Sequence, residues 1–204
     1  MSDVALNLPP RPRVGIFGGT FDPPHVGHLV CAVNVRHALA LDVVLLVVAN
    51  EPWQKEGSRI ISPAEDRYAL VIAAVGDVDG VEASRLELDR DGPSYTADTL
   101  RDLQKAIPDA QFFTILGQDA AAGLPTWERF EEVVAGSRLV VVDRPGASAP
   151  LPTGMGWLRV EVPHLEVSST DLRARVADGR PLDYLLPPSV ISEVSSRHLY
   201  ESPR

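Results

Sequence analysis

The chain has 204 residues, the size of one ordinary domain, and at 45% hydrophobic and 23% charged its composition is globular rather than disordered. Its 28 acids against 19 bases leave a formal charge of −9, which argues against a protein that coats a nucleic-acid backbone and still permits a local basic pocket for a small anion. One cysteine, Cys31, excludes an intrachain disulfide, and no stretch is long and apolar enough to span a membrane. The first 12 residues also lack the charged start and apolar run of a signal peptide, so a cytoplasmic protein with neither a nucleic-acid nor a membrane partner is expected. A homo-oligomer is compatible with the sequence.

A β-branched run at 14–17 reads as a buried strand. A helical pattern over 26–41 follows, with Val26, Leu29, Val30, Val33 and His37 on one face. A second buried strand is predicted at 43–49, then a helix over 63–75 with Ser62 as N-cap, Pro63 in the first helical position and Glu65 three residues after the cap. The 81–88 segment alternates and predicts a strand nearer a sheet edge. Helices are predicted over 94–107 and 127–135, with buried strands at 112–116 and 139–142. A Pro-, Gly- and Ala-rich loop at 144–156 leads to a strand at 157–162, a helix starting at Ser168-Ser169-Thr170-Asp171 and a last helix after Pro187-Pro188. Strands alternate with helices, which predicts an α/β fold: a Rossmann-like, doubly wound, mostly parallel sheet in a single domain with a small C-terminal helical part.

The most informative segment is 14–29, VGIFGGTFDPPHVGHL. A buried strand runs into Gly18-Gly19, then a polar turn, then a helix opening near His25. Glycines let a backbone approach a phosphate, and a helix start adds unpaired N–H donors and a positive dipole end. His25 and His28, three residues apart, can share a face there. Two readings stand side by side: the imidazoles bind phosphate oxygens and stabilise developing charge, or they cap the helix or bind a metal. No cysteine cluster or nearby H-x-x-x-H completes a zinc site. The dinucleotide G-x-G-x-x-G and P-loop G-x-x-x-x-G-K-[ST] patterns are absent.

The segment GGTFDPPHVGH resembles the G-x-F-x-P-x-H-x-G-H signature of nucleotidyltransferases. With PSYTADTL at 93–100, LGQDAAAGLPTW at 116–127 and VSSTDLR at 167–173, the chain is most similar to the bacterial nicotinate-mononucleotide adenylyltransferases over most of its length. The resemblance implies one nucleotidyltransferase domain over 1–204 that moves AMP from ATP to nicotinate mononucleotide, with Mg²⁺ carried mainly by the ATP phosphates and no dedicated protein ligands. It also implies that Gly18, Gly19, Thr20 and Phe21 bind ATP, and that His25 and His28 steady the α-phosphate and bridging oxygen. Ser168, Ser169, Thr170 and Arg173 would hold the β- and γ-phosphates; the alternative is a plain capped helix with Arg173 solvated. Lys55 is one of only two lysines against 17 arginines and lies in the loop after the second strand. It reaches a phosphate or is simply exposed, and Trp53 beside it shields the site or anchors the surface. The family's basic pair in this loop is only partly matched by Pro52-Trp53-Gln54-Lys55.

For the acceptor, the resemblance places Gly117 and Asp119 beside the nucleotides, Asp119 doubling as a candidate helix N-cap. Gln118 stands where relatives often carry alanine. Trp127 would stack on the nicotinate ring or sit in the core, and Thr96, with Ser94 and Tyr95, would bind a carboxylate or cap a helix. A pantetheine-phosphate adenylyltransferase would typically carry threonine at the position of His25. A glycerol-phosphate cytidylyltransferase would share both histidines but not the Trp127 segment. A non-catalytic nucleotide sensor is disfavoured by intact His25, His28 and Arg173.

Overall fold

The computed structural model describes residues 8–52, 61–143 and 150–201. The apolar runs form β1 (Arg13–Gly19), β2 (Val43–Val48), β3 (Val81–Ser84), β4 (Gln111–Gly117), β5 (Arg138–Asp143) and β6 (Leu158–Glu161). They pair in parallel throughout, in the order β3-β2-β1-β4-β5-β6. In β2 every residue is buried, as expected of an inner parallel strand covered on both faces. Alternate side chains serve opposite layers. Val44, Leu46 and Val48 pack with Cys31, Val35 and Val71, whereas Val43, Leu45 and Val47 pack with Leu100 and Leu103.

Helices α1 (Val26–Ala38) and α2 (Ala64–Val75) cover the first face. The other face carries α4 (Thr96–Ala106) and α6 (Phe130–Gly136), with the short α3 (Leu86–Arg90) and α5 (Gln118–Ala122) at strand ends. Helices α7 (Ser169–Asp178) and α8 (Pro188–Ser196) form a further layer in which Leu172, Leu186, Val190 and Val194 bury Leu70 and Ala74 of α2. Among the described residues no helix is long and apolar enough to cross a membrane. The strand order reverses at β1, so the crevice between the carboxyl ends of β1 and β4 is the topological switch point where such sheets bind ligands.

Several predicted elements shift. The strand expected over 81–88 stops at Ser84, and Leu86–Arg90 coils into a helix in which Arg85 Nε reaches Asp89 at 2.8 Å, a helical i,i+4 pair. In the 63–75 helix Pro63, not Ser62, is the N-cap residue; the Ser62 carbonyl accepts from Arg67 instead. The helix expected from Ser94 begins at Thr96, because Ser94 Oγ accepts from the Asn50 N–H at 2.8 Å. That expected from Trp127 begins at Phe130, since Leu124–Thr126 makes a tight 3₁₀ turn. On α1 the buried residues are Cys31, Ala32 and Val35, while Val33 and His37 face out. This helix is apolar nearly all round, so periodicity alone does not choose the face, and small side chains let it seat closely on the sheet.

Arg67 was missed by sequence reasoning. It is 1% exposed and donates to four backbone carbonyls: Ser62 at 2.8 Å, Thr20 at 2.9 Å, Ala49 at 2.6 Å and Asn50 at 3.0 Å. One guanidinium thereby ties together the loops that leave β1 and β2. Arg67→Ala leaves buried acceptors without their donor, each costing about 1–3 kcal/mol. A total loss of about 3 kcal/mol is expected, which lowers Tm by roughly 6–12 °C in a chain of this length. A thermal melt within about 2 °C of wild type would contradict this role.

Candidate active site

Beyond β1 the chain turns sharply. Phe21 adopts φ 49° and buries its ring against Gly19, where a Cβ would lie 2.8 Å from that ring; only glycine leaves the room. Asp22, joined to Pro23 by a cis peptide bond, is 1% exposed. Its Oδ1 accepts from the Tyr200 hydroxyl at 2.7 Å, so the end of the chain is latched to this turn. Burial, and then the charge of Asp22, raise the Tyr200 phenol above its ordinary value, which keeps it the donor.

His25 is the N-cap residue of α1 and His28 its third residue. His28 Nδ1 accepts from the His25 backbone N–H at 3.1 Å, and the two rings lie 3.7 Å apart, tilted by 31°. An Nδ1 that accepts carries no proton, so the neutral imidazole of His28 carries it on Nε2 and presents a donor there. Phe21 meets the same ring edge-on at 5.1 Å. A Cβ on Gly27 would come within 3.0 Å of both His25 Nδ1 and Val167 Cγ1, so the glycine between the histidines admits the segment that leads into α7.

Helix α7 brings the fourth motif to this turn. Ser168 caps it, its Oγ accepting from the Asp171 N–H at 3.2 Å. Ser169 Oγ donates to the Pro23 carbonyl at 2.8 Å. Arg173 donates to the Asp22 carbonyl at 2.7 Å and to Thr170 Oγ1 at 3.2 Å. The helix is capped, as one reading had it, but Arg173 is held on the histidine turn rather than solvated.

Beside the turn, at the switch point, lies a cavity. Of the predicted residues, Gly18, Gly19, Thr20, Thr96, Gly117 and Trp127 line it. Trp127 also packs against the cluster of Leu116, Leu124 and Val133, so one side of the indole belongs to the core while the residue lines the cavity. Glu87 and Thr99 line it too and were not foreseen: a Glu in a charged stretch reads as solvated, and only the fold turns it inward. Phe21 does not line the cavity, because its ring is in the core. Asp119 is exposed in the first turn of α5 and is not its N-cap, a position held by Gly117. Lys55 and Trp53 lie outside the described residues.

The Trp127 loop is clamped to α4 by a fork. Arg129, at φ 52°, donates to both carboxylate oxygens of Asp98, at 3.0 and 2.5 Å. These hydrogen bonds hold the Asp98 carboxyl below its ordinary value. Its folded pKa is depressed, so the stabilisation is complete above the unfolded value near 3.9 and is lost as pH falls through the folded value. Asp98→Asn is expected to cost about 0.5–1 kcal/mol at neutral pH, with the gap to wild type narrowing as pH falls below the unfolded carboxylate value. Urea melts at several pH values check this; a gap that does not depend on pH would contradict it.

The cytidylyltransferase-like family model matches residues 16–175. A probable nicotinate-nucleotide adenylyltransferase of Streptomyces coelicolor is 48% identical over 186 residues, which cover 90% of this chain and 98% of that one. Another, from Corynebacterium kroppenstedtii, is 44% identical over 193 residues, 93% and 91% of the two chains. The solved structure of a Plasmodium falciparum nicotinic acid mononucleotide adenylyltransferase complexed with NaAD shares the fold, with a TM-score of 0.75 at 16% identity over 93% of this chain and 98% of that one. With its histidine turn, its switch-point cavity and this identity over nearly the whole of both relatives, the chain belongs to the cytidylyltransferase-like family and, within it, to the nicotinate-nucleotide adenylyltransferases.

Proposed function

We propose that the protein transfers AMP from ATP to nicotinate mononucleotide, giving deamido-NAD and pyrophosphate. One observation carries the reading: the histidine turn and the α7 start meet at the carboxyl end of β1, beside a cavity walled by Trp127 and the start of α4. A phosphate oxygen of the mononucleotide attacks the ATP α-phosphorus, and the bond to the pyrophosphate oxygen breaks. That phosphate is already nucleophilic at neutral pH, so catalysis rests on positioning and charge neutralisation. His28 Nε2–H donates to the α-phosphate oxygen where charge builds, and His25 supports it through stacking and its backbone N–H. Gly18, Gly19 and Thr20 bring the backbone close to the nucleotide. Ser168, Ser169, Thr170, Arg173 and the α7 dipole hold the departing pyrophosphate.

Mg²⁺ carried by ATP would supply neutralisation of the phosphate charge. The turn offers hydroxyls, imidazoles and a guanidinium, which bind phosphate oxygens. This donor set fits an ion held by phosphates and water, as Mg²⁺ commonly is. Trp127 stacks on the pyridinium ring, and the α4 start receives its carboxylate.

The direct test is pyrophosphate release from ATP with nicotinate mononucleotide, pantetheine phosphate or glycerol phosphate as acceptor. Release with the first alone is expected; release with either of the others instead would overturn the reading. Arg173→Ala should weaken ATP and pyrophosphate by on the order of 10- to 100-fold, the worth of a charged hydrogen bond, and leave mononucleotide binding nearly intact. Titration of each ligand checks this, and equal weakening of both substrates would contradict the placement.

A further inference from the structure

Glu87 is a carboxyl that the mechanism above does not use. It lies on α3, is 7% exposed and lines the same cavity as Thr96 and Trp127. Burying a carboxylate is costly unless hydrogen bonds and opposite charge offset it. Burial raises this carboxyl above its ordinary value, while hydrogen bonds from Ser94 and Thr99, and the charge of Arg90, pull it back; Asp98 on α4 opposes them. Arg90 is itself paired with Asp102 at 3.0 Å.

The partners of Glu87 belong to the wall of the acceptor cavity. Thr99, one turn into α4, donates its hydroxyl to Glu87 Oε1. Ser94 donates to the same carboxyl, and its oxygen accepts from the Asn50 N–H at 2.8 Å. Asn50 Nδ2 then holds the Gly92 carbonyl at 3.1 Å, and the Ser94 N–H donates to Glu51 O at 3.1 Å. The carboxyl thus grips the chain on both sides of Tyr95 and Thr96 and links that turn to the end of β2. The N-cap residue Tyr95 makes no side-chain cap, and the Asp98 N–H is taken by the Tyr95 carbonyl at 3.0 Å, so the N–H groups that the helix start turns towards a ligand are those of Thr96 and Ala97. An apolar residue at 87 would be cheaper to bury and would hold nothing.

We propose that Glu87 is the positioning residue of the acceptor pocket: by holding Ser94 and Thr99 together it fixes the backbone at 94–96 in the geometry that receives the acceptor's acid group. This rests on nicotinate mononucleotide being the acceptor. Steady-state kinetics should show Glu87→Ala raising KM for the mononucleotide on the order of 10- to 30-fold, the loss of a charged hydrogen bond, with KM for ATP within about twofold. Glu87→Gln keeps an amide oxygen for Thr99 and should stay within about fivefold of wild type. Thr99→Val offers a second route should the alanine variant fold poorly, and should raise the same KM. Hydrogen exchange at the 95–98 amides of the free protein should quicken in Glu87→Ala. An equal rise in both KM values would overturn the proposal, as would an unchanged mononucleotide KM with unchanged exchange at 95–98. A wild-type enzyme that ignores nicotinate mononucleotide would sink the acceptor reading instead, and the exchange measurement would still decide the role of Glu87.

Discussion

His28→Ala is expected to lower kcat by roughly 10²–10³-fold, the scale for losing one preorganised donor that meets charge in the transition state. The expectation rests on the tautomer. The His25 N–H occupies His28 Nδ1 at 3.1 Å, which leaves the proton on Nε2, and the stacked and edge-on contacts with His25 and Phe21 hold the ring in that orientation. A donor fixed before substrate arrives costs no reorganisation when charge develops. Stability should change little, by about 1 kcal/mol for the lost helix-start hydrogen bond. KM for ATP should also move much less than kcat, because the interaction is strongest in the transition state. Single-turnover rates on folded protein would check this; a rate within about threefold of wild type would remove His28 from the chemistry.

Comparable in size is the expected preference for the acid acceptor over the amide, a kcat/KM ratio of roughly 10²–10³. Nicotinate and nicotinamide mononucleotides have nearly the same shape, so the choice falls to charge and hydrogen-bond polarity. Thr96 is the first residue of α4, and the uncapped helix start beside it offers N–H donors and the positive end of the dipole. A carboxylate accepts at both oxygens. An amide turns an NH₂ towards the same donors, leaves one unpaired at a cost of about 1–3 kcal/mol and forgoes the charge assistance. The Glu87 carboxyl does not undo this preference, because Thr99 and Ser94 engage it within the wall. Thr96→Ala should reduce the ratio only in part, since backbone donors remain. Trp127→Ala should weaken both acceptors together, because stacking does not distinguish them. Steady-state rates at saturating ATP would test it, and equal efficiencies would exclude this account of the pocket.

Much of the architecture is legible in the chain. The β-branched runs at 14–17, 43–49, 112–116 and 139–142 each fall within or overlap an observed strand, and their alternation with helices announces a parallel sheet. The motif at 18–28 is legible because its constraints are local: Gly19 must clear a ring two residues away, and His25 and His28 must meet across one helical turn. Element ends were harder to read. Ser62 and Ser94 have the residue type of caps, but Pro63 takes the cap position of α2 and Ser94 Oγ is taken by the distant Asn50 N–H.

The sequence by itself determined the fold class, the sharp glycine- and histidine-bearing turn after β1 and the family to which the chain belongs. These follow from side-chain periodicity and from contacts spanning a few residues. Only the tertiary structure decided which charged residues turn inward and what the turn rests on. Arg67 and Glu87 look like surface charges in a linear reading, and their partners become neighbours only when β2, α2 and α4 pack. The grip of Arg173 on Asp22 spans 151 residues, and that of Tyr200 on the same residue spans 178. Such contacts leave no local pattern, because their spacing is set by the path of the chain through the sheet and not by the period of any helix or strand.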